Sequence, residues 1–263
     1  MFDFLDKVNE TKKKEVQKLL LLLGGETGSG KSYVGAGTFP EEMKGCHITI
    51  AHEAHGYESA KKRCYHIPLH KQPQEDGSWD VLDASEQRDY LKDLLTGELS
   101  EKIAERFDYC VIDSGNLCTI FRQLGDYISS KYNKAEILDN MYAEFFQWCS
   151  DLRDKGLHVV VTMPYYFDGN NRYIPTIIGR TGIFMAGMWP YRLYVQRDST
   201  GQAVWNCTGE IDKISKKQDG SSFVEKLQGT RLGTYPAEPL HGKKASIASL
   251  LKYIEHCEKT EDK

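Results

Sequence analysis

The chain has 263 residues, 40% hydrophobic and 27% charged, the proportions of a globular protein rather than a disordered or fibrous one. Its 34 basic and 38 acidic residues leave a formal net charge of −4, which argues against a positive coat for nucleic acid but leaves room for a local basic groove. No membrane-spanning helix is expected: the longest aliphatic run is Leu19 to Leu23, against the roughly 20 residues a bilayer helix requires, and Met1-Phe2-Asp3-Phe4-Leu5-Asp6 lacks the basic and apolar regions of a secretory signal.

Residues 1–15 are polar and lysine-rich and read as an arm. The run Val16–Leu23 ends at Gly24-Gly25, the profile of a strand buried on both faces, and similar runs recur at Cys46–Ala51, Tyr109–Ile112 and His158–Thr162. Helical patterns lie between them: Ser32–Thr38, one long helix over Ala84–Arg106, and Ala135–Lys155. In the last of these Ile137, Leu138, Met141, Phe145, Trp148 and Leu152 recur at three- and four-residue spacing before Gly156. Strands alternating with helices predict an α/β fold, a mostly parallel sheet flanked by helices. Beyond residue 163 the texture changes. Residues 164–190 read as a long functional loop, and Tyr191–Arg197 and Ala203–Thr208 as added antiparallel strands about the turn Asp198-Ser199-Thr200-Gly201. Phe223–Leu227 reads as a further strand and Ser246–Glu258 as a terminal amphipathic helix. The seven cysteines are scattered with no CxxC pair, the usage of reduced, buried thiols in a cytoplasmic protein.

Gly25-Glu26-Thr27-Gly28-Ser29-Gly30-Lys31-Ser32 fits the phosphate-loop pattern GxxxxGK[ST] in full. At average residue usage the match arises by chance in about one chain in a hundred of this length, and here an apolar strand precedes it and a helix follows. The glycines let successive N–H groups turn toward phosphate oxygens. Lys31 would reach the β- and γ-phosphates of ATP, the Ser32 hydroxyl would join the shell of Mg²⁺, and Tyr33 follows at the rim. An ordinary Gly-rich turn has no use for Lys-Ser at that offset. The second requirement, a metal-holding carboxylate after another apolar strand, is met by Asp113. Ser114 follows it, so a water-activating glutamate must come from elsewhere. Glu53, beyond the strand Cys46–Ala51, is the candidate base, with Glu58 behind it; the alternative for Glu53 is a solvated loop residue.

This set resembles the RecA-like branch of P-loop ATPases, and within it a phage nucleotide-binding family that accompanies single-strand annealing and recombination. The resemblance rests on Gly25–Ser32, Phe39-Pro40, Ile48–Gly56, Val111-Ile112-Asp113-Ser114, Val159–Met163 and Ile174–Arg180, over roughly residues 16–240. It implies a RecA-like core with Mg²⁺-dependent ATP hydrolysis and assembly into a homo-oligomeric ring or filament, in the cytoplasm of a phage-infected host. With no internal repeat or low-complexity tract, the chain reads as one domain over 1–263: an arm (1–15), a nucleotide-binding core (16–163), a loop and late strands (164–240) and a C-terminal helix (241–263). Glu53 falls near the RecA-type catalytic glutamate, one residue later than usual. Thr162 fits the polar sensor that ends the fourth strand, but Met163-Pro164 follows, a departure that points to weak turnover. A cation from a neighbouring subunit commonly completes such sites, and Arg231 lies in the right late region.

Single-stranded DNA is the expected partner. Tyr166, Arg172, Tyr173 and Arg180 interleave aromatic and basic side chains after the fourth strand, suited to base stacking and phosphate contact, although a packed loop would use the same residues. His52, His55, Cys64, His66 and His70 form a looser alternative, a zinc site, without the paired spacing that frames one. Two other functions begin from the same loop: a small-molecule or nucleotide kinase, disfavoured because no Arg-rich lid is evident, and an assembly scaffold that binds ATP with negligible turnover.

Overall fold

The computed structural model describes residues 18–50, 64–115, 117, 120, 134–167, 173–175, 188–206 and 240–261. Its strands are β1 (Leu20–Gly25), β2 (Gly45–Thr49), β3 (Cys64–Pro68), β4 (Lys71–Pro73), β5 (Trp79–Val81), β6 (Tyr109–Asp113), β7 (His158–Phe167), β8 (Tyr173–Pro175), β9 (Tyr191–Arg197) and β10 (Ala203–Asn206). The helices are α1 (Lys31–Gly37), α2 (Ala84–Thr96), α3 (Glu98–Arg106), α4 (Lys134–Asp154) and α5 (Ile247–Glu261).

The leucine run sets the layering. Side chains alternate across a strand, so Leu20 and Leu22 enter one apolar layer with Leu91, Phe145 and Leu152 of α2 and α4, while Leu19, Leu21 and Leu23 enter the other with Val34 of α1 and Leu250 of α5. Both faces are covered, and the strand reads as unbroken apolar sequence for that reason. The main sheet runs β10-β9-β1-β7-β6-β2-β3. Six of these strands are parallel, from β3 to β9, and β10 closes the edge antiparallel to β9. The fold is thus α/β, a mostly parallel sheet flanked by helices. At the far end Ile247 N–H donates to the Thr38 hydroxyl at 2.8 Å and Ala248 N–H to the Thr38 carbonyl at 3.0 Å, which fixes α5 beside the end of α1.

Several boundaries differ from the sequence reading. The first strand begins at Leu20 rather than Val16 and keeps both glycines in the ladder, Gly24 opposite Met163 and Gly25 opposite Pro164. The long helix over 84–106 is two helices. Asp83 and Glu86 cap the first reciprocally, and Gly97 ends it and begins the second. The amphipathic period continues on both sides of Gly97, which hides the break. Part of the supposed loop after residue 163 is strand: β7 continues to Phe167 and pairs with β8 through Tyr165–Pro175, Tyr166–Ile174 and Phe167–Tyr173. Tyr191–Arg197 and Ala203–Asn206 do pair antiparallel, as β9 and β10, but β9 also joins the parallel sheet beside β1.

Strand β3, unforeseen, extends the sheet beside β2. Cys46, Cys64, Cys110, Cys149 and Cys257 are buried thiols outside any disulfide, as expected. Among the described residues no helix is long and apolar enough to cross a membrane. The arm and the strand foreseen at Phe223–Leu227 lie outside the described residues.

Candidate functional site

Strand β1 delivers Gly25 to the carboxyl edge of the sheet, the edge where open α/β sheets receive ligands. From there Glu26–Gly30 turns the chain into α1. Ser29 N–H donates to the Glu26 carbonyl at 3.1 Å and Val34 N–H to the Gly30 carbonyl at 2.9 Å. Gly28 (φ 80°) and Gly30 (φ 99°) hold left-handed conformations that cost a side-chain-bearing residue about 1–2 kcal/mol. Gly25 is required by space: a Cβ there would stand 2.5 Å from Ser29 Oγ and 2.6 Å from the Val195 carbonyl. Lys31 Nζ donates to the Glu26 carbonyl at 2.8 Å, folded onto its own loop. Ser29 Oγ is buried with no hydrogen-bond partner among the described residues.

Beneath the start of α1 the apolar layer gives way to polar residues. The alternation that buries Val111 and Val160 on the α1 side also assigns Asp113 and Thr162 to that side, two residues on. Register then sets neighbours: β2 pairs with β6 through His47–Val111 and Thr49–Asp113, and β6 with β7 through Ile112–Val161. Asp113 is 2% exposed. Its carboxylate accepts from Thr162 Oγ1 at 2.5 Å, lies 3.2 Å from His47 Nε2, and is hydrogen-bonded by the Ser32 side chain. Burial alone would raise its pKa; the hydrogen bond and charge of His47, with Ser32 and Thr162, outweigh that and hold the carboxyl below the usual aspartate range. The chain after Asp113 is pinned as well. Gly115 N–H donates to the Thr162 carbonyl at 2.6 Å, and a Cβ at residue 115 would overlap Val161.

The opposite flank of the loop is open. Glu26–Ser29 and Tyr194, Gln196 and Arg197 of β9 enclose a cleft of about 250 Å³. Arg197 is exposed, and its Nε donates to the Gly28 carbonyl at 2.7 Å. A Cβ on Gly30 would stand 3.4 Å from Ala203 Cβ and 3.9 Å from an Arg197 terminal nitrogen, so the root of α1 lies against both β9 and β10.

The structure therefore brings together Gly25–Ser32 and Asp113, with Thr162 joining them and Tyr33, 45% exposed, at the rim. Tyr166 and Tyr173 lie on the paired strands β7 and β8, one register step apart rather than directly opposite. Glu53, Glu58, Arg172, Arg180, Arg231, His52 and His55 lie outside the described residues. Of the zinc alternative, Cys64 Sγ contacts the Ala36 carbonyl at 3.3 Å and His66 Nε2 the Thr49 hydroxyl at 2.6 Å. Among the described residues no three His, Cys, Asp or Glu side chains gather as a metal site.

Two residues at the site escaped sequence reasoning. His47 stands in an apolar run, and only the pairing of β2 with β6 brings it to Asp113. Arg197 meets the loop across 169 residues of sequence. The one signal for it was position, at the end of a strand that follows a phosphate-loop core. Comparison with protein-family models and with curated protein sequences found no match to the chain.

Proposed function

We propose that this chain is a Mg²⁺-dependent, ATP-binding and ATP-hydrolysing protein of RecA-like type that acts on DNA, in phage recombination or replication. The observation that carries the reading is the meeting of Ser32 and Asp113 beneath a loop of phosphate-binding form. Lys31, with Nζ on the Glu26 carbonyl of its own loop, is the cation that would reach the β- and γ-phosphates. The buried Ser29 hydroxyl lacks a partner that a phosphate oxygen would supply.

Ser32 and Asp113 fit Mg²⁺, which is held by one or two carboxylates plus substrate phosphates rather than by an all-protein cage. When bound, the ion would neutralise charge developing on the phosphate oxygens. Thr162 and His47 hold the Asp113 carboxylate in place beside Ser32, where it would take part in holding the ion. Strand β7 runs between β1 and β6, so Thr162 stands between the loop strand and Asp113, the place of a polar sensor. Glu53 as general base, Arg231 as a neighbouring subunit's cation, and assembly into a ring or filament complete the reading.

DNA is supported by the place of the β7–β8 hairpin. Strand β7 passes the end of β1, at Gly25 opposite Pro164, by three residues, to Phe167. The hairpin therefore rises from the same sheet edge as the loop, carrying Tyr166 and Tyr173, and Arg172 and Arg180 lie next to it in sequence.

Steady-state ATPase activity with Mg²⁺, with and without single-stranded DNA, tests the proposal against Lys31→Ala. We expect slow basal turnover, several-fold stimulation by DNA, and loss of nucleotide binding in the variant. Full ATP affinity in Lys31→Ala would sink the nucleotide assignment. Binding with no DNA response would favour the assembly scaffold, to which buried Ser114, in place of a glutamate, already lends weight. Phosphate transfer to a small acceptor would select a kinase.

A further inference from the structure

The flank of the loop away from Asp113 carries an unassigned cation. Arg197 sits at the end of β9 with Nε on the Gly28 carbonyl and one terminal nitrogen on the Gly201 carbonyl. Among the described residues no carboxylate pairs with it. The nearest acid in sequence, Asp198, is committed to its own turn, accepting from the backbone N–H groups of Thr200 at 2.8 Å and Gln202 at 3.0 Å and from the Thr200 hydroxyl at 2.7 Å. Arg197 and Lys31 both place a donor on a carbonyl of the loop, at Gly28 and at Glu26. Neutral carbonyls are poor counter-ions for a guanidinium whose planar fork suits phosphate.

A second observation points to the same ligand. The cleft that Arg197 lines also contains Ser29, 5% exposed, whose hydroxyl has no hydrogen-bond partner among the described residues. An orphaned buried hydroxyl beside an uncompensated guanidinium calls for an acceptor-rich anion. The neighbouring Gln196 is oriented too: its Oε1 accepts from Asn206 Nδ2 at 3.0 Å, which leaves its amide nitrogen as a further donor.

We propose that Arg197 is a phosphate-binding residue of the nucleotide site, supplied by the same chain as the loop, with Ser29 as its partner donor. The inference rests on the nucleotide-binding reading and deepens it: one cation of the site comes in cis, whatever a neighbouring subunit adds. With Nε on the Gly28 carbonyl and one terminal nitrogen on the Gly201 carbonyl, Arg197 keeps further donors that a phosphate in the cleft would take together with the Ser29 hydroxyl.

The test measures affinity for ATP and for inorganic pyrophosphate by titration calorimetry, at low and high salt, in the parent, Arg197→Ala, Arg197→Lys and Lys31→Ala proteins. Loss of a charged hydrogen bond should weaken both ligands roughly 10-fold or more in Arg197→Ala, with Arg197→Lys recovering part of it. The salt dependence of ATP binding should flatten in Arg197→Ala and not in Arg197→Lys, because only the first removes a charge–charge contact. A merely structural clamp on Gly28 would leave that dependence unchanged, and this outcome would overturn the proposal. So would unchanged affinity for both ligands, or a loss confined to ATP with pyrophosphate untouched, which would move Arg197 to the nucleoside. If instead Lys31→Ala binds ATP normally, the nucleotide reading itself falls. Arg197 is exposed, so its variants should fold, and equal melting temperatures in the ligand-free proteins check that they do.

Discussion

Strand β7 buries two groups four residues apart on its α1-side face, His158 where the strand begins and Thr162 midway along it, and the two ends of this short span treat charge oppositely. At the carboxyl end Thr162 donates to Asp113, whose carboxyl is held below its usual range by His47, Ser32 and Thr162 against the effect of burial. At the amino end His158, 6% exposed, accepts the Leu19 N–H at Nδ1 over 3.0 Å and packs near Phe39, itself stacked on Tyr109 at 3.7 Å. Burial first, and the charge of Lys18 second, lower the His158 pKa to about 4. One end is built to keep an ion in the interior and the other to avoid one. A buried ion that must be retained requires several converging donors; a buried ring that only completes a backbone hydrogen bond requires one.

The strongest way to break this contrast is Asp113→Ala. It leaves His47 Nε2 and the Thr162 hydroxyl without their buried partner, so stability should fall by about 3 kcal/mol, read as a urea midpoint at neutral pH. Mg²⁺-dependent turnover should fall at least ~100-fold. An unchanged midpoint would mean that the carboxylate is not held as described.

At the other end the lever is pH. The folded His158 pKa of about 4 lies below the unfolded value of 6.5, so between these values the unfolded chain takes up a proton that the folded chain refuses. Stability should therefore decline as pH falls from 6.5 to 4, by up to ~3 kcal/mol, and this contribution levels off below. The lowered Asp113 pKa adds a further loss only below its ordinary value of 3.8. His158→Asn, which keeps an acceptor for Leu19, should flatten the slope between pH 4 and 6.5; an identical slope in the variant would assign it to other groups.

The smallest effect belongs to Thr162→Val. Asp113 keeps His47 and Ser32, so stability should drop by about 1 kcal/mol and turnover by roughly 10-fold, with Thr162→Ser restoring most of both. A Val variant with parental turnover would remove Thr162 from the site.

What could be read from the sequence followed from how local each feature is. The GxxxxGK[ST] stretch Gly25–Ser32 is contiguous, and Asp113 ends an apolar run, so both candidates were visible without coordinates. His47 was not, because a histidine within Cys46–Ala51 looks the same whether it faces Asp113 or a zinc ion. The choice is made by the pairing of β2 with β6, more than sixty residues apart. Strand β3 was hidden for a related reason. As an edge strand its Tyr65 and His66 remain exposed, so Cys64–Pro68 has neither the apolar run of a central strand nor clean alternation. Arg197 combined both obstacles, a distant partner and a place on a strand that reads as surface.

Gly24 has a consequence beyond packing. A Cβ there would lie 2.7 Å from the Tyr165 ring, so β1 accepts that ring directly against its backbone one residue before the loop begins. Tyr165 is also the first residue of β7 to pair with β8, and it stands three residues after Thr162. One strand therefore touches the loop's root, the acid beneath the loop and the hairpin above it. Any ligand that shifts the hairpin works against the loop, and equilibrium thermodynamics makes the coupling mutual. On the proposed reading, the factor by which a hairpin ligand changes nucleotide affinity is the factor by which nucleotide changes affinity for that ligand.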